Sequence, residues 1–183
     1  EMMWKTPIQN VDLSKDLKMR FEVNDKYIVL VKEDFDRKAI YCYSLPTGEV
    51  LWQTDPTNSG SPQAIYSLLL EGDMLYGIGL HPGQGFNFIS YDCVKGTRKT
   101  AKLMDGYNSA PLVRLRENVY GKHLVFEVQD RKDFQVLVID KNTGEVVKKV
   151  MEKGDGPIGE VGRIGITVQN GHPILFGKDQ FKY

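Results

Sequence analysis

The chain is short of the residues that usually announce chemistry. Its 183 residues include two cysteines, Cys42 and Cys93, and three histidines, His81, His123 and His172. Two cysteines do not complete a zinc set, and the histidine spacing fits no zinc motif. His81 and His172 each precede a proline in a loop or turn, and His123 precedes an apolar strand. All three therefore read as surface or turn residues. No Gly-x-Ser-x-Gly elbow is present to mark a nucleophilic serine. Gly77-Ile78-Gly79, with Gly83 and Gly85, imitates a glycine-rich phosphate loop. No helical pattern follows it, and such a loop works by feeding a helix N-terminus. Loop flexibility is the expectation there. Excess charge is missing too: 24 basic side chains stand against 24 acidic ones. That balance excludes a nucleic-acid or polyanion binder relying on bulk charge. No apolar run approaches the roughly 20 residues of a bilayer-spanning helix, so no membrane span is expected. Helical periodicity at i, i+3, i+4 and i+7 is also wanting.

What is present is a repeat. Gly48, Gly96 and Gly144 stand 48 residues apart. Each ends a similar turn: Leu45-Pro46-Thr47-Gly48-Glu49-Val50, Cys93-Val94-Lys95-Gly96-Thr97-Arg98 and Lys141-Asn142-Thr143-Gly144-Glu145-Val146. Before each turn lies a β-prone run: Ile40-Tyr41-Cys42-Tyr43, Phe88-Ile89-Ser90-Tyr91 and Val136-Leu137-Val138-Ile139. Leu30, Ile78 and Phe126 fall into the same 48-residue register. A period of this size built from short strands and turns is the signature of a propeller blade. The turn has a local cause. An Asp or Asn bonds its own backbone, and a glycine takes positive φ without a Cβ clash. Asp140, Thr143 and Gly144 supply that chemistry. Asp140, Asn142 and Gly144 also imitate the start of a calcium loop, but Glu145 lies too close to be the distal bidentate acid. A plain turn is the reading.

The expected fold is an all-β propeller of four-stranded antiparallel blades. Residues 1–183 form a single propeller segment of about four blades. Trp4 stands 48 residues before Trp52, so residues 1–6 align with the closing strand of a preceding blade. Blades follow over 17–54, 64–103 and 111–150, and a partial blade over 161–183. A segment of a longer propeller is the preferred expectation. A split propeller completed by a partner chain, or a small closed one, are the alternatives. Cys42 lies in an apolar strand and Cys93 at a turn. Their repeat positions differ by three, so they are not stacked equivalents. Buried thiol packing is the plain expectation, and a disulfide stays open.

The turn sequence carries a resemblance. Tyr43 to Trp52, Tyr-Ser-Leu-Pro-Thr-Gly-Glu-Val-Leu-Trp, resembles the PQQ-type β-propeller repeat. Ile139 to Val147 is similar but has Lys148 in place of the tryptophan, and Tyr91 to Thr100 is a degenerate copy. The resemblance implies one of three things: a quinone-dependent dehydrogenase, a non-catalytic scaffold that helps assemble outer-membrane proteins, or another extracytoplasmic propeller. The dehydrogenases typically carry adjacent cysteines, and a carboxylate and an asparagine beside calcium. None of these falls on a matching motif here. The expectation is a binding or scaffold module with no catalytic residue, cofactor or metal, located in the periplasm or outside the cell. Its partner would be another protein or the rest of a larger propeller. A piece of a quinoprotein oxidoreductase with its cofactor site elsewhere is the runner-up. A structural protein assembling through its edges is the third reading. Loops on a rigid scaffold carry binding disproportionately. Asn58, His81, Gln84, Tyr107 and Asn108 are the candidate contact residues.

Overall fold

The computed structural model describes residues 5, 18–34, 37–54, 62, 64–81, 85–105, 112–115, 121–130, 133–153, 165–169 and 172–176. Among them there is no helix. The first sheet joins β1 (Lys18–Val23), β2 (Tyr27–Asp34), β3 (Arg37–Ser44) and β4 (Val50–Gln53). The second joins β5 (Ala64–Glu71), β6 (Met74–His81), β7 (Gly85–Asp92) and β8 (Arg98–Met104). The third joins β9 (Leu112–Leu115), β10 (His123–Asp130), β11 (Asp133–Asp140) and β12 (Val146–Lys153). A two-stranded sheet follows, β13 (Gly165–Gln169) with β14 (His172–Phe176). Every pairing is antiparallel, and each four-stranded sheet runs in sequence order. Such meanders, stacked face to face along a repeat, are propeller blades. The fold is a β-propeller.

The blades are held by what lies between them. Tyr27, Val29, Val31, Ile40 and Cys42 on the forward face of blade 1 pack with Ile65, Leu75, Ile89, Tyr91 and Cys93 on the backward face of blade 2. Tyr76, Ile78, Phe86 and Phe88 on blade 2 then meet Leu124, Phe126, Val128, Leu137 and Ile139 on blade 3. Both faces of blade 2 are therefore buried, which is why β6 and β7 read as nearly continuous apolar runs. The first strands β1, β5 and β9 approach one another in turn. Arg20 on β1 reaches across to bond the carbonyl oxygens of Ile65 and Tyr66, where the β5–β6 pairing shifts register.

The 48-residue register slips once, at β6. Tyr27 pairs with Ser44 and His123 with Asp140, but Asp92 pairs with Met74 where a strict period demands Leu75. The repeated tie from the turn to the preceding hairpin moves likewise. It runs from the Leu45 amide to Lys26, from Cys93 to Asp73, and from Lys141 to Lys122, each at 2.8–2.9 Å. So Val31, not Leu30, is the structural counterpart of Ile78. The β6–β7 connection holds one residue more than its sisters and restores the count. Gly77 and Gly79 correct another expectation. They lie inside β6, buried, rather than in a flexible loop. A Cβ on Gly77 would stand 2.7 Å from the Ser67 carbonyl oxygen of β5.

Candidate functional site

The repeat turns form three similar units between the third and fourth strands of each blade. The Gly48, Gly96 and Gly144 amides bond the carbonyls of Ser44, Asp92 and Asp140 at 2.8 Å. Their φ angles are 71°, 68° and 78°. Asp140 Oδ1 accepts from the amides of Asn142 at 2.8 Å and Thr143 at 3.2 Å, and Asp92 does the same for Val94 and Lys95. The Asn142 amide, opposed by burial and helped by the Thr143 amide, holds the Asp140 carboxyl below its ordinary range. Thr143 Oγ1 accepts the Glu145 amide at 3.2 Å, matching Thr47 with Glu49. The Asp140 oxygen is thus engaged in its own turn. Among the described residues no cluster of three or more His, Cys, Asp or Glu side chains is placed to hold a metal.

Each turn also receives the preceding blade. Trp52, half-buried on β4, stacks on Tyr91 with ring centroids 5.3 Å apart and planes 15° from parallel. Its Nε1–H donates to the Cys93 carbonyl oxygen at 2.9 Å. A Cβ on Gly96 would stand 2.9 Å from Trp52 Cγ. The repeat glycine is therefore needed twice, for its φ and for the close approach of the indole. At the next junction the tryptophan is replaced. A Cβ on Gly144 would meet Phe88 Cδ1 at 2.6 Å and Ala101 Cβ at 2.8 Å. Lys141, the counterpart of Cys93, turns its Nζ to Glu71 Oε2 at 2.5 Å and lies over the Tyr76 ring.

The expected contact residues fall unevenly. Asn58, Gln84, Tyr107 and Asn108 lie outside the described residues, as does Trp4. His81 was expected in a loop. Instead it is the last residue of β6, paired with Gly85 and buried. Burial first, and the Arg98 charge second, push its imidazole below the ordinary value. His123 likewise begins a strand and is buried.

Apolar side chains exposed on strands were missed by the reading from loops. Met19, Phe21 and Val23 alternate along β1 and are 44%, 68% and 51% exposed. Phe21 and Val23 pair with Leu30 and Ile28 of β2. They thus share the backward face of blade 1, which also carries Ala39, Tyr41 and Tyr43. Their counterparts in blade 2 are Leu68 and Leu70, paired with Gly77 and Leu75. Those two leucines pack into the core against blade 1. The same two positions are covered in one blade and open in the other. The edges differ as well. β8 and β12 carry Lys99, Lys102, Lys148 and Lys149, whereas β4 reads Val-Leu-Trp-Gln, with Val50 and Leu51 exposed. Lysine on an edge strand guards against pairing with another sheet, and β4 has none.

No family model matches the chain, and no curated protein matches its sequence. Comparison with solved structures finds the crystal structure of BamB from Moraxella catarrhalis, at 14% identity and a TM-score of 0.46. The match covers 90% of this chain and 44% of that one, so this chain spans less than half the length of that protein. No helix among the described residues is long and apolar enough to cross a membrane.

Proposed function

We propose that this chain is a non-catalytic scaffold that binds a protein partner, chiefly through blade 1. The observation that carries the reading is the Met19–Phe21–Val23 stripe, open at positions where blade 2 is packed. A contiguous exposed apolar stripe on a soluble fold marks an interaction surface. The unguarded β4 edge, flanked by Val50 and Leu51, adds main-chain donors and acceptors that an extended segment can pair with. The partner would therefore be a β-rich protein or a further blade, docking sheet face on sheet face. The resemblance of the Tyr43–Trp52 turn to quinoprotein-type repeats supports a place outside the cytoplasm, where such scaffolds work.

The test is a paired pull-down with identification by mass spectrometry. Phe21→Glu should abolish capture of the partner while leaving the unfolding midpoint unchanged. Val94→Glu, on an exposed turn residue away from the stripe, should leave capture intact. Capture that survives Phe21→Glu would overturn the role of the stripe. A protein that stays monomeric and retains nothing from its native source would overturn the scaffold reading.

A further inference from the structure

The junction between blades 1 and 2 contains a feature that neither the fold nor the scaffold role requires. Cys42 on β3 and Cys93 just after β7 are both 0% exposed and both free thiols. They belong to one core cluster, with Trp52 packed against it. Cys42 Sγ lies 3.9 Å from the Cys93 carbonyl oxygen, a contact made directly across the junction. Their repeat positions differ, and that difference brings them together. The forward face of one blade meets the backward face of the next, so contacts across a junction join non-equivalent positions. Cys42 is on the first face and Cys93 on the second.

We propose that Cys42 and Cys93 are a site for an interblade disulfide, closed by a small-molecule or protein disulfide acting as oxidant. In the reaction one S–S bond forms and one breaks. Cys42 and Cys93 together give up two protons and two electrons, and the oxidant's disulfide leaves as two thiols. Contact with Cys42 first, and burial second, pushes the Cys93 thiol up. Either thiol, once deprotonated, attacks the oxidant, and the other resolves the mixed disulfide. Full burial makes this exchange slow in the folded protein and fast while the junction is forming. The bond would tie residues 51 positions apart in sequence, one on each of two blades. Loops of that size give large cross-link effects, because the unfolded chain loses much of its freedom. The site has no sister at the next junction, where the corresponding positions are Ser90 and Lys141.

The experiment is refolding of the denatured, reduced chain in buffers of reduced and oxidised glutathione, from fully reducing to fully oxidising. Intact mass and a non-reducing peptide map are read at each ratio. The expected product is a monomer lighter by two hydrogens, about 2 Da, with one peptide pair linking Cys42 to Cys93. Its Tm should exceed that of the reduced protein by roughly 10 °C. Cys42→Ala and Cys93→Ala should each abolish the linked peptide. A parallel incubation of the folded protein under the same oxidising buffer keeps the test valid if refolding fails. It should give the same linked peptide more slowly. Free thiols at both positions in the oxidising limit, a glutathione adduct on either that never resolves, or linkage only between two chains would each overturn the proposal.

Discussion

The two blade junctions solve the same problem with different chemistry. Both must bury a sheet face against a turn whose glycine has positive φ. Between blades 1 and 2 the filler is an indole held by a hydrogen bond, with two thiols beneath it. Between blades 2 and 3 it is a phenyl ring and a methyl group, with a lysine ion pair at the rim. A half-buried tryptophan can shift its ring. Phe88, fully buried among Tyr76, Phe126 and their neighbours, cannot. The difference teaches that the repeat conserves the shape of the slot, a turn without a Cβ, while its occupant is free to change.

Alanine at the turn glycines tests that statement most severely. An alanine at left-handed φ costs about 1–2 kcal/mol, and overpacking a rigid neighbour adds about 1–3 kcal/mol. Gly144→Ala meets Phe88 and Ala101, so it should cost about 4 kcal/mol in urea unfolding. Gly96→Ala meets an indole that can give way, and about 2.5 kcal/mol is expected. Gly72 has a φ of 55° with nothing within 4 Å of the added Cβ. Gly72→Ala should therefore show the backbone cost alone, about 1.5 kcal/mol. Equal losses at all three sites would refute the idea that the slot is defined by its occupant.

Trp52→Phe sharpens the comparison from the other side, by giving the first junction the kind of filler the second one has. The ring can still stack on Tyr91, but the Cys93 carbonyl loses its N–H donor and keeps only the weak Cys42 thiol at 3.9 Å. Losing one of two hydrogen bonds to an acceptor costs about 0.5–1.5 kcal/mol. A loss near 1 kcal/mol is expected, with a matching drop in the urea midpoint. No loss would mean that stacking alone sets the junction and the indole N–H contributes nothing.

Much of the fold could be read in the sequence because it is local. The Asp92 and Asp140 side chains close their own turns, and Gly48, Gly96 and Gly144 mark them at a fixed period. The strand runs ending at Tyr43, Tyr91 and Ile139 are apolar because successive residues of these inner strands are buried whichever face they point to. What could not be read is everything that depends on register between elements. The one-residue slip at β6 is invisible until Met74 is seen opposite Asp92. It reverses which residues of that strand face forward. A disulfide between Cys42 and Cys93 stayed open, because the meeting of one blade's forward face with the next blade's backward face is written in neither strand. The exposed stripe on β1 was also hidden, since Met19, Phe21 and Val23 alternate as any half-buried strand would. Only the packing of their counterparts Leu68 and Leu70 shows that this face is open.

The smallest effects belong to the ion pairs that rim the two junctions. Lys26 Nζ and Asp73 Oδ1 are 3.1 Å apart, both half-exposed, and the Tyr27 hydroxyl donates to the same carboxylate at 3.1 Å. Lys141 and Glu71 form the second pair, with the lysine largely buried. Exposed pairs are screened by salt and contribute little, whereas a buried partner is screened less. Lys141→Met should cost about 1 kcal/mol, nearly the same at low and high salt. Lys26→Met should be measurable only at low salt. The first pair also has a pH signature. The Lys26 hydrogen bond, then that of Tyr27, holds the Asp73 carboxyl below its ordinary value of 3.8. A depressed carboxyl stabilises the fold above its unfolded pKa, and that contribution is lost as pH falls through the folded one. Stability measured from pH 5 downward should therefore fall more steeply in the wild type than in Asp73→Asn, and 0.5 M salt should narrow the gap. If the two acid limbs coincide at low salt, the rim of the first junction is electrostatically inert, and its whole strength lies in Trp52 and the core beneath it.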